Sequence, residues 1–188
     1  QKLEVAQTTF ADLQKLDVGA WKDDKFRGTR MPLISDVFST IPKGKKIFVE
    51  VKCGPEIVAP LIQEIEKSGL KDDQVVLICF NREVVKQFKK ARPQHKAYWL
   101  CHVKKKKGKW TPSIHTVLST LKDCQADGLD SYFALPEEYS RAVLDAGYEW
   151  HVWTVNEAKV AKELVGRSVF SITTDRPVAV REAVESEK

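Results

Sequence analysis

Two charged side chains stand two positions apart near the end of an otherwise apolar run: Glu50 and Lys52 in KKIFVEVKCG, residues 45–54. The run reads as a β-strand, and side chains alternate across a strand, so Phe48, Glu50 and Lys52 share one face and Val49 and Val51 the other. A carboxylate and an ammonium held side by side offer two chemistries. They can neutralise one another as a salt bridge at a strand end. Alternatively, the carboxylate can hold a hard divalent cation while the ammonium holds an anionic ligand, each offsetting the desolvation of the other. The segment alone is consistent with both.

The elements that position this pair are legible from residue 45 onward. Six runs read as strands: KIFVEVK (46–52), QVVLICF (74–80), KAYWLCH (96–102), GLDSYF (128–133), EWHVWTV (149–155) and VFSITT (169–174). Between them lie helical patterns with readable ends. Pro55 opens one in which Ile57, Leu61 and Ile65 recur every four residues, with Gly69 just past its end. Thr111 with Pro112, Pro136 with Glu137 and Glu138, Asn156 with Glu157, and Asp175 ahead of Pro177 read as helix starts, and Gly147 and Gly166 as stops. Strands that alternate with helical crossovers imply βαβ units and a parallel sheet, so the fold class is α/β. Several strands are apolar on both faces, which suits a sheet or barrel covered by helices; periodicity does not choose between an open doubly wound sheet and a closed barrel. No glycine-rich phosphate loop follows any strand. The first 44 residues differ: a capped helix is expected over 9–16 and a second one opened by Pro32, without a strand before them. Residues 1–188 are expected to form a single domain, with 1–44 a helical lead-in and 45–188 the repeated βα units.

The composition excludes several classes. With 31 Lys+Arg against 26 Asp+Glu the net charge is +5, a weak preference for anionic partners. One dense cluster, Lys104 to Lys107 with Lys109 and Trp110, has the look of a nucleic-acid patch, but no binding module accompanies it and a solvated loop is the expectation; no nucleic acid is read as a partner. No apolar run approaches the roughly 20 residues that span a bilayer. Four cysteines without CxxC spacing give neither a zinc site nor a disulfide framework. The oligomeric state leaves no signature. The cytoplasm is the default compartment, and a signal peptide ahead of Gln1 would redirect the chain to a secreted or periplasmic setting.

In parallel α/β folds chemistry collects at the carboxyl ends of the strands. Read in order, those ends carry Glu50 and Lys52, Phe80 and Asn81, His102, Tyr132 and Phe133, Trp153 and Asn156, and Thr174 and Asp175. Asn156 and Asp175 sit where helix caps belong, and capping is the expectation for both. His102 reads as a strand terminator with a ligand role as the alternative. His95 and His115 have no partners at metal-ligand spacing. His151 shares a strand face with Trp153, which reads as a hydrophobic wall of the site.

Several segments together resemble the glycerophosphodiester phosphodiesterase family, a TIM (β/α)8-barrel family. TFADLQKLDVGAW is followed by FRGTRMPLISDVF, similar to the family's F-x-G-x-x-(I/M)-P-x-L-x-(D/E)-V-(L/F). VEVK then matches its E-(I/V)-K strand, and VVLICFN, HVWTVN and ITTDRP follow in the family's order. The resemblance implies that Glu50 ligates a divalent metal, calcium or magnesium, that Lys52 contacts the substrate phosphate, and that Trp153 lines the substrate side of the barrel mouth; Phe80, at the carboxyl end of its strand, is read as a further substrate-binding residue. The implied reaction is hydrolysis of glycerophosphodiesters to glycerol 3-phosphate and an alcohol. Six of the eight strands are visible. The family's His-Arg-Gly, His-Asp and E-x-D motifs, which supply two histidines and two further acidic ligands, have no counterpart in these residues. The expectation is therefore that these residues are the later three-quarters of the barrel, with a segment of roughly 60 residues ahead of Gln1, given about 250 for such a barrel. The alternative is a noncatalytic barrel remnant that binds phosphoesters or a partner.

Overall fold

The computed structural model describes residues 3–185; residues 1, 2 and 186–188 at the ends of the expected domain lie outside that range. Six parallel strands form one sheet: β1 (Ile47–Val51), β2 (Val75–Cys79), β3 (Ala97–Cys101), β6 (Gly128–Tyr132), β7 (Glu149–Trp153) and β8 (Ser171–Ile172), neighbours in that order. All six strand expectations are met. Between β3 and β6 lies a separate antiparallel pair, β4 (Lys104–Lys106) with β5 (Lys109–Thr111).

Returning helices cover the outer face: α3 (Val58–Ser68), α4 (Arg82–Ala91), α5 (Ile114–Asp123), α6 (Glu137–Asp145), α7 (Ala158–Gly166) and α8 (Pro177–Glu185). Their ends follow local chemistry. The Asn81 side chain accepts from Glu83 N and caps α4, and Ser113 accepts from Thr116 N and caps α5. Gly69 closes α3 at φ +70°, a backbone state that a side chain would strain. Val51 of β1 is buried among Val58, Leu61 and Ile65 of α3, while Phe88, Val117, Leu121, Leu129, Trp150 and Leu164 fill the layer between sheet and helices. Truncating a fully buried Phe88 to alanine would cost about 3–5 kcal/mol.

The sheet is strongly curled. Four spacings of roughly 4.8 Å would hold β1 and β7 about 19 Å apart in a flat sheet. Yet Phe48 of β1 and His151 of β7 lie with ring centroids 6.3 Å apart, and Phe80 beyond β2 meets Trp153 of β7 at 5.9 Å. The inner faces of the six strands therefore line a lumen, as those of a (β/α)8 barrel do.

The lead-in is shorter in helix than its sequence pattern. α1 spans Phe10–Leu13, capped by Thr9, and α2 spans Ile34–Phe38. The pattern over 9–16 breaks because the Asp17 carboxylate accepts from the backbone N–H of Gly19, Ala20 and Gly28 at 2.9, 2.9 and 2.7 Å and closes a loop. Those three donors draw its pKa down to about 2. The lysine cluster is likewise not an irregular loop. Lys107 and Gly108 both have positive φ, 46° and 79°, the backbone of a two-residue hairpin turn, so β4 and β5 stand as an exposed ribbon after β3.

Candidate functional site

The carboxyl ends of the strands enclose a cleft of about 280 Å³ lined by Glu50, Lys52, Ile78, Phe80, Leu100, Asp130, Trp153, Thr154 and Thr173. Strand alternation explains the set. Glu50 and Lys52, Ile78 and Phe80, and Leu100 each share the inward face of their strand, while Val51, Leu77 and Cys79 belong to the core under the helices. Glu50, Lys52, Phe80 and Trp153 thus come together as the sequence implies.

Lys52 Nζ lies 3.2 Å from Glu50 Oε1. The salt bridge of the opening pair is formed, and both charges also line the cleft. The Lys52 side chain is 77% exposed, so the pairing is a weak one that an incoming anion can displace. Phe80 and Trp153 stand edge to face and form an apolar wall, extended by Tyr132 and His102 around Trp153.

One charged lining residue is absent from the strand-end residues read in the sequence. Asp130, on β6, is 2% exposed, and its Oδ1 is buried without a hydrogen-bond partner. Burial, with the Glu50 charge across the lumen as a second cause, pushes its pKa up to about 7. Trp153 Nε1 is likewise buried without an acceptor. The signal for Asp130 was present, because it lies two residues before Tyr132 and so shares its inward face.

The histidines take other places. His102 stacks on Tyr132 at 4.8 Å, at the end of β3 as a strand terminator would. His95 is buried against Phe88. None of the four lines the cleft. Asn156 is not a helix cap: its Oδ1 accepts from Thr174 Oγ1 and Asp175 N while its Nδ2 donates to Asp175 Oδ2, a tie between the segments leaving β7 and β8. The Asp175 carboxylate is used in that tie, and Glu157 precedes α7 without a side-chain cap.

The amino ends of the same strands carry a second polar cluster. Glu149 accepts from Lys96 Nζ at 2.9 Å and from Tyr98 OH at 2.5 Å, with His151 Nε2 at 3.3 Å. His151 Nδ1 pairs with Ser171 Oγ at 2.7 Å, and Asp127 meets Lys89 and Lys96 at 2.9 and 3.5 Å. Burial pulls the His151 pKa down to about 4, against the opposing pull of Glu149.

Glu50 offers hard oxygens at the cleft, the donor type that calcium and magnesium take. Among the described residues no three His, Cys, Asp or Glu side chains converge to hold a metal ion. None of the helices among the described residues is long and apolar enough to cross a membrane.

The fold is that of a (β/α) barrel, with the Lys52–Glu50 ion pair in a cleft at the carboxyl ends of its strands. The model of the glycerophosphoryl diester phosphodiesterase family matches residues 1–179, and the chain belongs to that family. Among curated relatives, a glycerophosphodiester phosphodiesterase of Bacillus subtilis is 23% identical over 189 residues, covering 92% of this chain and 63% of the relative. One of Caldanaerobacter subterraneus subsp. tengcongensis is 26% identical over 182 residues, covering 92% and 70%. The chain thus spans about two thirds of the length of these relatives. Among solved structures, an Oleispira antarctica phosphodiesterase in complex with the product sn-glycerol-3-phosphate superposes with a TM-score of 0.82 at 17% identity, covering 96% of this chain and 72% of that one. A glycerophosphodiester phosphodiesterase from Parabacteroides distasonis gives 0.75 at 20% identity, covering 97% and 73%. At these identities the structural likeness speaks to the fold.

Proposed function

We propose that the protein carrying this chain hydrolyses glycerophosphodiesters to glycerol 3-phosphate and an alcohol, in the turnover of phospholipid head groups, with a divalent metal, calcium or magnesium, held in part by Glu50. The observation that carries this is the convergence of Glu50, Lys52, Phe80 and Trp153 on one cleft in a member of this family.

Lys52 exchanges its exposed contact with Glu50 for a phosphate oxygen of the substrate and holds the phosphoryl group against the cleft. A cation point charge fixed there favours the charge that builds on the phosphoryl oxygens as the ester bond breaks. Glu50 supplies oxygen ligation, and the metal, when bound, adds Lewis-acid stabilisation of the same oxygens. The wall of Phe80 and Trp153 covers the apolar part of the substrate and keeps water from the reacting centre except where it is positioned. Proton transfer at the attacking water and the leaving alcohol needs an acid and a base. Since none of this chain's histidines lines the cleft, those roles fall to the two family histidines that residues 1–188 do not contain.

That same observation favours one competing reading, a barrel that binds phosphoesters without turnover. The two separate in one assay of the protein carrying this chain. Release of glycerol 3-phosphate from glycerophosphodiesters, abolished by EDTA and by Glu50→Ala, is expected; metal-independent binding with no turnover would establish the second reading instead.

A further inference from the structure

The proposed reaction makes no use of the lysine ribbon, β4 with β5. Its register fixes which side chains share a face: Lys104 stands opposite Thr111, Lys106 opposite Lys109, and Lys105 opposite Trp110. Side chains alternate along each strand, so Lys104, Lys106 and Lys109 project from one face and Lys105 with Trp110 from the other. Trp110 packs against the hydrophobic core, with Lys105 Nζ 5.8 Å from its ring centroid, so that second face is turned to the body of the protein. The first face, with Lys107 at the turn, is exposed to solvent.

The ribbon stands at the rim of the lumen and is anchored at both feet. Val103, just before it, is buried, and just after it the Pro112 carbonyl accepts from Tyr139 OH at 3.0 Å. His102, two residues ahead of the ribbon, lies 5.8 Å from Trp153 of the cleft wall, ring centroid to ring centroid. The cations are therefore held beside the mouth of the cleft rather than on a free tether.

Their charge is unbalanced. The chain has no acidic residue between Glu83 and Asp123, and Asp123 is itself paired with Lys86. Among the described residues no carboxylate pairs with any lysine of the ribbon. Like charges directly opposite one another destabilise a ribbon, and Lys106 faces Lys109 in this way. Unrelieved repulsion on an anchored, solvent-facing surface points to an anionic partner that relieves it.

A reader of nucleic-acid bases would present arginine forks or exposed aromatic rings. The ribbon has no arginine, and its single ring is turned inward. Lysine ammonium groups are compact point charges on flexible stems, suited to the diffuse negative potential of lipid head groups rather than to one shaped ligand. We propose that the outward face of the ribbon docks on the anionic surface of a lipid bilayer and holds the mouth of the cleft at that surface. Docking is independent of the phosphodiesterase reading, because it needs neither metal nor turnover.

The test is co-sedimentation of the protein carrying this chain with vesicles of phosphatidylcholine alone and of phosphatidylcholine with about one third phosphatidylglycerol, at about 0.1 M salt. Binding to the anionic vesicles is expected to be at least about 100-fold tighter than to the neutral ones, and the preference should vanish at about 0.5 M salt. That salt arm uses wild type alone and stands whether or not a variant folds. Each lysine near such a surface contributes about 5-fold, so Lys104→Gln, Lys106→Gln, Lys107→Gln and Lys109→Gln combined should bring the preference to within about 5-fold of unity. The same substitution at Lys43, Lys45, Lys46 and Lys71, in the loops ahead of β1 and β2 at the amino ends of the strands, removes equal charge and should change binding by less than about 5-fold. Soluble sn-glycerol 3-phosphate at the same phosphate concentration should leave the protein on the vesicles; full displacement would place the contact in the cleft and overturn the proposal. Equal binding to both kinds of vesicle, salt-independent binding, or equal losses from the two sets of substitutions would overturn it as well. So would ribbon-dependent binding to a DNA duplex tighter than to the anionic vesicles at the same salt, which would make the ribbon a nucleic-acid contact. A protein that docks through the ribbon yet releases no glycerol 3-phosphate would uphold the docking and remove the phosphodiesterase reading alone.

Discussion

The two ends of the barrel lumen spend their polar groups in opposite ways. At the amino ends of the strands, Lys96, Tyr98, Asp127, Glu149, His151 and Ser171 form a closed network in which every charge has a partner at 3.5 Å or less. At the carboxyl ends, Lys52 pairs with Glu50, on its own strand, and among the described residues Asp130 Oδ1 and Trp153 Nε1 find no hydrogen-bond partner. A protein selected only for stability would satisfy both ends alike, since an unmet buried polar atom costs about 1–3 kcal/mol. The difference supports the proposal that the first cluster serves the fold and the second a ligand.

That contrast can be broken by substitutions at either end. The largest expected effect is at Glu50. Glu50→Ala should lower kcat/KM on a glycerophosphodiester by about 1000-fold or more, with thermal unfolding nearly unchanged, because a half-exposed carboxylate supports ligand rather than packing. Lys52→Ala should lower it by about 100-fold, and Lys52→Arg should recover part of the loss. At the other end the expectation reverses. Glu149→Gln leaves Lys96 and the Tyr98 hydroxyl short of their acceptor and should cost about 2–3 kcal/mol in chemical denaturation, with activity per folded molecule preserved.

A subtler separation lies in pH. His151 is held neutral in the folded state down to about 4, while its unfolded counterpart takes up a proton near 6.5. The unfolded chain therefore binds more protons between those values, and this contribution is lost as pH falls from 6.5 through 4. Asp130 is held protonated up to about 7 against an ordinary value of 3.8. Here the folded state binds more protons, so its contribution is lost as pH rises from 3.8 through 7. The two slopes oppose one another in the protein and partly cancel. Denaturation of Asp130→Asn across this range should show stability rising more steeply with pH than wild type, and His151→Asn less steeply, each by up to a few kcal/mol over the window. Parallel profiles for all three would contradict the burial argument at both ends.

Much of this was legible in the residues. Alternation within KKIFVEVK placed Glu50 and Lys52 on one face before any coordinates, and the lumen is where they stand. The six strands followed from β-branched runs separated by helical crossovers. What stayed hidden was long-range or against local propensity. Glu149 and Lys96 are 53 residues apart, and no local pattern announces that the first positions of two strands will pair. Asn156 sits where a cap belongs but finds its partners at Thr174 and Asp175, on the neighbouring strand's exit. The hairpin was masked because four consecutive lysines read as solvated chain; the Lys107–Gly108 turn and the Trp110 ring under Lys105 hold it as a ribbon. Asp130 stands next to Ser131 in a stretch rich in small and acidic residues, and only its step of two from Tyr132 marks it as inward-facing.

The central claim is that the open end of the lumen serves ligand chemistry and the closed end serves the fold. Its most direct measurement is turnover of glycerophosphocholine together with unfolding free energy for Glu50→Gln and Glu149→Gln in the protein carrying this chain. The account predicts that the first variant loses turnover and keeps stability, and that the second loses stability and keeps turnover per folded molecule. Full turnover in Glu50→Gln, or equal losses of both quantities in the two variants, would contradict it.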